Sequence, residues 1–189
     1  MKYVLSGIGI MFGLFFVLML LTVGFVSTVN RSKGDRGQVL PGEGENAKKA
    51  IIIYQPAATK ATTKVAQQLA AGLNAGGYEV TLNHPGEHLS PDLSGYGLII
   101  FGSPTYAGQL TKTLTDYVAQ VCSQLRAVMG ETPRLALFAT GAVDQLEEFD
   151  RLAETLNGLN VIKKVKFLSG TKETNEKTAF DLGLELAQK

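Results

Sequence analysis

An octet, Phe101-Gly102-Ser103-Pro104-Thr105-Tyr106-Ala107-Gly108, ends the apolar run Leu98-Ile99-Ile100-Phe101 with small residues set around a single aromatic. Its chemistry is that of a binding loop. Gly102 and Gly108 let backbone come close to a ligand, Pro104 fixes φ, and Tyr106 offers a flat face for stacking on a planar ring. No acid, base or nucleophile stands out elsewhere. Cys122 is the one cysteine and falls in a helical apolar pattern with Val118, Val121 and Leu125, the setting of a buried spectator. A single cysteine permits no internal disulfide, and His84 and His88 add too little for a metal motif. Both histidines stand in a polar stretch with Pro and Gly, which predicts solvated loop residues.

The elements that must deliver the octet follow from hydrophobic pattern. Apolar, β-branched runs at 50–54, 78–82, 98–101, 135–140 and 161–168 alternate with helical patterns at 60–75, 109–129, 144–157 and 173–188. Strands alternating with helices call for right-handed crossovers, hence a doubly wound α/β domain whose parallel sheet is covered on both faces. Ligands bind such sheets beyond the carboxyl ends of the strands, where the octet falls. The connection 83–96 is short and holds two prolines, so any helix there is brief.

The octet resembles the second flavin-contacting loop of the flavodoxin-like family, and Gln109-Leu110-Thr111-Lys112-Thr113-Leu114-Thr115-Asp116-Tyr117-Val118 resembles that family's next helix. Thr62-Thr63-Lys64-Val65-Ala66 is similar to the start of its first helix, and the resemblance runs from 50 to about 187. It implies a five-stranded parallel sheet of order 2-1-3-4-5 and FMN as cofactor. It further implies a phosphate loop with Thr59, Lys60, Ala61 and Thr62, a ring-contacting loop with Ser103, Pro104, Thr105, Tyr106, Ala107 and Gly108, and a third loop with Thr140 and Gly141. The phosphate would lie at a helix N-terminus, where unpaired N–H groups and the helix dipole favour an anion. Lys60 departs from the family, which has glycine there, and Ala57 or Ala58 replaces a hydroxyl in a loop about one residue longer. Lys60 brings a full positive charge in exchange. The third loop, 138–144, has no tyrosine or tryptophan to sandwich the ring, and its Asp144 reads as a helix N-cap.

Charge narrows the partners. Residues 50–189 hold 12 Lys+Arg against 14 Asp+Glu, with no clustered basic face, so no nucleic-acid partner is expected. No charged residue stands between Lys2 and Arg31, and residues 3–29 are long and apolar enough for a single transmembrane helix. The apolar part exceeds the ~7–15 residues usual in a secretory signal, which favours an uncleaved anchor. Arg31, Lys33, Arg36, Lys48 and Lys49 follow the span and only Lys2 precedes it, which places the C-terminal domain in the cytoplasm. Gly9 and Gly13 form a GxxxG pair that would let two anchors meet as a dimer. Residues 30–49, rich in Gly and charge, are expected to be a flexible linker to a flavodoxin-like domain at 50–189.

Together these features predict a membrane-tethered, FMN-binding electron carrier or flavin-dependent reductase, partnered by a redox protein or a quinone. A flavin-free module of the same fold that binds a protein partner is the alternative, motivated by the altered phosphate loop. A phosphoacceptor receiver is excluded, because Gln55-Pro56 and Gly102-Ser103 stand where it needs acidic residues.

Overall fold

The computed structural model describes residues 2–188 apart from 45, 128–132, 145 and 169–171, and for residues 2–9 and 172–176 it describes backbone only. The chain divides into two units, Met1–Arg31 and Ser32–Lys189. The first is one helix, α1, Lys2–Val29, whose part Ile10–Val29 is long and apolar enough to cross a membrane; a signal sequence has the same properties. Thr22 and Thr28 donate their hydroxyls back to the Leu18 and Gly24 carbonyls at 2.8 Å, so neither needs water. A Cβ at Gly13 would meet open space, while the surroundings of Gly9 lie outside the described residues.

The second unit runs β1 (Gln38–Leu40), β2 (Lys49–Tyr54), α2 (Ala61–Ala75), β3 (Glu79–Asn83), β4 (Leu98–Tyr106), β5 (Gln109–Leu110), α3 (Lys112–Ala127), β6 (Arg134–Gly141), a 3-10 helix (Glu147–Leu152), α4 (Ala153–Leu156), β7 (Val161–Leu168) and α5 (Lys172–Gln188). The sheet order is β1-β3-β2-β4-β6-β7, with β5 paired to β4. β3, β2, β4, β6 and β7 are mutually parallel and are the five strands expected, in the expected order. Among the described residues the sheet nevertheless has seven strands, because β1 and β5 add short antiparallel pairings.

Alternation along β2 explains the run of isoleucines. Ile52 joins Val65, Leu69 and Leu73 of α2 and Ala179, Leu182 and Leu186 of α5 on one face. Ile51 and Ile53 join Leu114, Val118, Val121, Cys122 and Leu125 of α3 and Phe149 on the other. Both faces are dry, so both residue sets must be apolar. Each fully buried Ile or Leu contributes about 1.5–3 kcal/mol.

The helix expected from 109 starts at Lys112, because Gln109 and Leu110 pair with β4 as β5, and two further expected elements differ. Residues 30–49 do not form a free coil: from Ser32 onward the chain belongs to the globular unit, and Gln38, Val39 and Leu40 pair with Leu82, Thr81 and Val80. A three-residue edge strand in a Gly-rich, charged stretch carries no readable periodicity. The helix expected over 144–157 is a 3-10 helix followed by the four-residue α4, and its N-cap position is Leu146, without a side-chain cap, so Asp144 does not cap it.

Candidate functional site

Three loops leave the carboxyl ends of β2, β4 and β6. In the first, the Lys60 N–H closes a turn on the Ala57 carbonyl at 3.0 Å, and Lys60 adopts the left-handed conformation, φ 61° and ψ 6°. A lysine thus takes the conformation that glycine would reach freely, at about 1–2 kcal/mol. The Lys64 N–H to Lys60 carbonyl bond, 3.0 Å, starts the helical ladder, so by helix geometry the amides of Ala61, Thr62 and Thr63 stand ahead of it. Thr59 and Lys60 are exposed. Thr62 is buried, and its hydroxyl lies 2.7 Å from that of Thr140, at the end of β6.

The second loop is largely strand. β4 continues five residues beyond Phe101, to Tyr106, then reverses through Ala107 (φ 49°) and Gly108 (φ 70°) so that Tyr106 pairs with Gln109. Two consecutive positive φ values make this a two-residue hairpin turn. Ser103 is fully buried: its hydroxyl donates to the Pro104 carbonyl at 2.8 Å and accepts the Thr111 N–H at 3.0 Å, fastening the loop to the start of α3. Pro104 is buried, Thr105 and Tyr106 are half-buried, and Ala107 and Gly108 are exposed at the tip. Gly102 serves packing, since a Cβ there would lie 2.1 Å from Phe138 Cζ.

The third loop leaves Gly141, whose open face is filled by Lys166; a Cβ there would lie 3.0 Å from Lys166 Cε and 3.3 Å from Thr105 Cβ. Lys166 forms an ion pair with Glu148 and donates to Thr105 Oγ1 at 2.9 Å, the charged side chains being 3% and 2% exposed. This pair was not foreseen, and a single lysine in Lys163-Lys164-Val165-Lys166 gives no signal of burial.

A second unforeseen cluster lies at the end of β2. His84 is half-buried rather than solvated: its Nδ1 is 3.2 Å from the Gly34 carbonyl and its ring meets Tyr54 edge-on, centroids 5.1 Å apart. Burial lowers its pKa below 6.5. His88 is exposed. Cys122 is buried, and burial pushes its thiol up to about 11, so it is an inert core residue. Among the described residues no group of His, Cys, Asp and Glu could hold a metal. A cleft of about 450 Å³ opens between Gln109, Lys112, Asp116, Glu148, Arg151 and neighbours, and no residue expected to bind cofactor lines it.

A twisted parallel sheet of this order, wrapped by helices on both faces and with its loops at the carboxyl edge, has the flavodoxin-like α/β fold. No protein-family model and no curated protein matches the chain. Solved structures do. A flavodoxin from the domain Archaea aligns with TM-score 0.62 at 16% identity, over 74% of this chain and 96% of that one. Flavodoxin 1 from Bacillus cereus aligns with TM-score 0.59 at 15% identity, over 75% and 98%. The rubredoxin oxygen:oxidoreductase from Desulfovibrio gigas aligns with TM-score 0.62 at 19% identity over 76% of this chain, which spans only 37% of that longer protein. At these identities the likeness is one of fold.

Proposed function

We propose that the globular unit binds FMN at the carboxyl edge of β2, β4 and β6 and serves as an electron carrier or reductase, held at the cytoplasmic face of a membrane by α1. The observation that carries this reading is Lys60: the chain keeps a left-handed turn ahead of α2 without the glycine that makes it easy. Strained backbone at such a point is retained where a ligand uses it. The donor set fits a phosphate, with the amides of Ala61, Thr62 and Thr63 and the Lys60 ammonium at the exposed turn. Tyr54 adds a buried hydroxyl beside Thr63 that completes no hydrogen bond. Thr62 and Thr140 share one hydrogen bond, which leaves one hydroxyl proton of the pair to turn toward an anion.

Tyr106 and the backbone of Pro104–Ala107 would hold the ring on one side and the chain at Gly141 on the other. The flavin supplies the redox chemistry, while these residues bind it, orient it and exclude water from one face. A redox protein or a quinone at the membrane is the proposed partner, and Gly9 and Gly13 a proposed dimer contact.

The test is the visible absorption of the full-length protein in detergent, titrated with FMN. A flavin spectrum that copurifies or saturates supports the reading, and a folded, colourless protein that ignores FMN overturns it. The flavin-free reading is favoured by one observation: the Ser103 hydroxyl is satisfied inside the protein, donating to the Pro104 carbonyl and accepting the Thr111 N–H.

A further inference from the structure

The stretch 32–40 does more than connect. It runs along the outer side of β3, where Asn83, 6% exposed, ties it down: the Arg36 N–H donates to Asn83 Oδ1 at 3.0 Å and Asn83 Nδ2 donates to Asp35 Oδ1 at 2.8 Å. Arg36 is thereby held above Tyr54, its guanidinium carbon 5.9 Å from the ring centroid. Gln38 Oε1 accepts from Nε at 3.2 Å and from Nη2 at 2.9 Å, and among the described residues no carboxylate pairs with this arginine. Tyr54 is the last residue of β2 and fully buried, and its hydroxyl reaches Thr63 in the first turn of α2 without closing a bond. A guanidinium, an orphaned phenol donor and a helix N-terminus are therefore successive neighbours.

We propose that Arg36 is a phosphate-recognition residue, through which the strap 32–40 supplies a cation to the anion end of the site. This rests on the reading that the turn ahead of α2 takes a phosphate-bearing ligand. The chemistry suits arginine: its planar fork has donors beyond the two spent on Gln38, stacks on the Tyr54 face, and keeps its charge at any working pH. An anion at α2 would draw the guanidinium forward and, through Asn83, fix the strap. Lys60 stands on the same turn in solvent, so the phosphate would be held between an exposed ammonium and a guided guanidinium.

The experiment uses the full-length protein in detergent and compares FMN, riboflavin and inorganic phosphate. Wild type should bind FMN more tightly than riboflavin, and Arg36→Gln should weaken FMN about tenfold while leaving riboflavin unchanged. Arg36→Lys, which keeps the charge, should recover part of the loss and shows that the strap still folds. An unchanged ratio of FMN to riboflavin affinity in Arg36→Gln overturns the proposal. If wild type binds neither flavin, the functional reading fails on its own and phosphate decides the rest. A thermal stabilisation by phosphate that Arg36→Gln abolishes supports the anion site, and no stabilisation, or one that survives the substitution, overturns it.

Discussion

Lys166 and Glu148 set the sharpest energetic constraint in this protein. Two opposite charges, 3% and 2% exposed, gain little net stability as a pair, because desolvation consumes most of their attraction. Removing one of them is different, since the survivor is then buried alone. Lys166→Met should cost about 3–5 kcal/mol in denaturant unfolding, and adding Glu148→Leu should restore most of it. A double variant no more stable than Lys166→Met would show that packing and not charge holds this corner. The sequence made residue types legible here without their partners. Thr62, Thr140, Ser103 and Thr105 read as cofactor contacts in the sequence, and the structure adds partners within the protein: Thr62 and Thr140 meet each other, Ser103 meets Thr111, and Thr105 meets Lys166. Pairings across 78 or 61 residues leave no local trace in the chain.

At the scale of elements, continuous apolar runs such as Ile51-Ile52-Ile53 and Leu98-Ile99-Ile100-Phe101 announced the buried strands, and the small-residue octet announced a turn. What they concealed was length. β4 extends to Tyr106 because the Ala107-Gly108 turn folds β5 back on it, a consequence of two backbone conformations and not of hydrophobic pattern. The strap along β3 was equally hidden, and it brings a pH dependence. His84 is held neutral chiefly by burial, with Arg36 and His88 lowering its pKa further and the Gly34 carbonyl and Asp35 opposing. Its folded pKa lies below the 6.5 of the free group, so the unfolded chain takes up a proton first as pH falls. Stability from this residue should be constant above about pH 7.5 and decline below pH 6.5, down to the folded pKa. Thermal unfolding midpoints from pH 8 to 5 should show that slope, flattened in His84→Gln; identical slopes would remove His84 as its source.

For the whole molecule, the alternation of strands and helices sufficed to predict a doubly wound parallel sheet, while its strand order came from the resemblance to flavodoxin-like domains. The boundary at 49 was misplaced, and this has a measurable outcome. A fragment 32–189 should unfold later than one starting at residue 49. The shorter form loses β1, the packing of Leu40 against the core and the two bonds from the strap to the Asn83 amide, which keeps only the His84 N–H. The partial burial of Leu40 contributes about 1–2 kcal/mol, and each lost hydrogen bond about 0.5–1.5 kcal/mol more. Equal midpoints would mean that the edge strand adds nothing.

If α1 acts as the proposed anchor, that same strand is the part of the globular unit that follows it first in the chain. The apolar helix ends at Val29 and the globular unit begins at Ser32. With α1 fixed in a bilayer, any pull on the domain loads the three pairings of β1 with β3 and the Asn83 amide before it reaches the parallel sheet. Those few bonds would then act as a mechanical fuse: under tension the strap would peel away first, carrying Arg36 off Tyr54 while the core behind it stays intact.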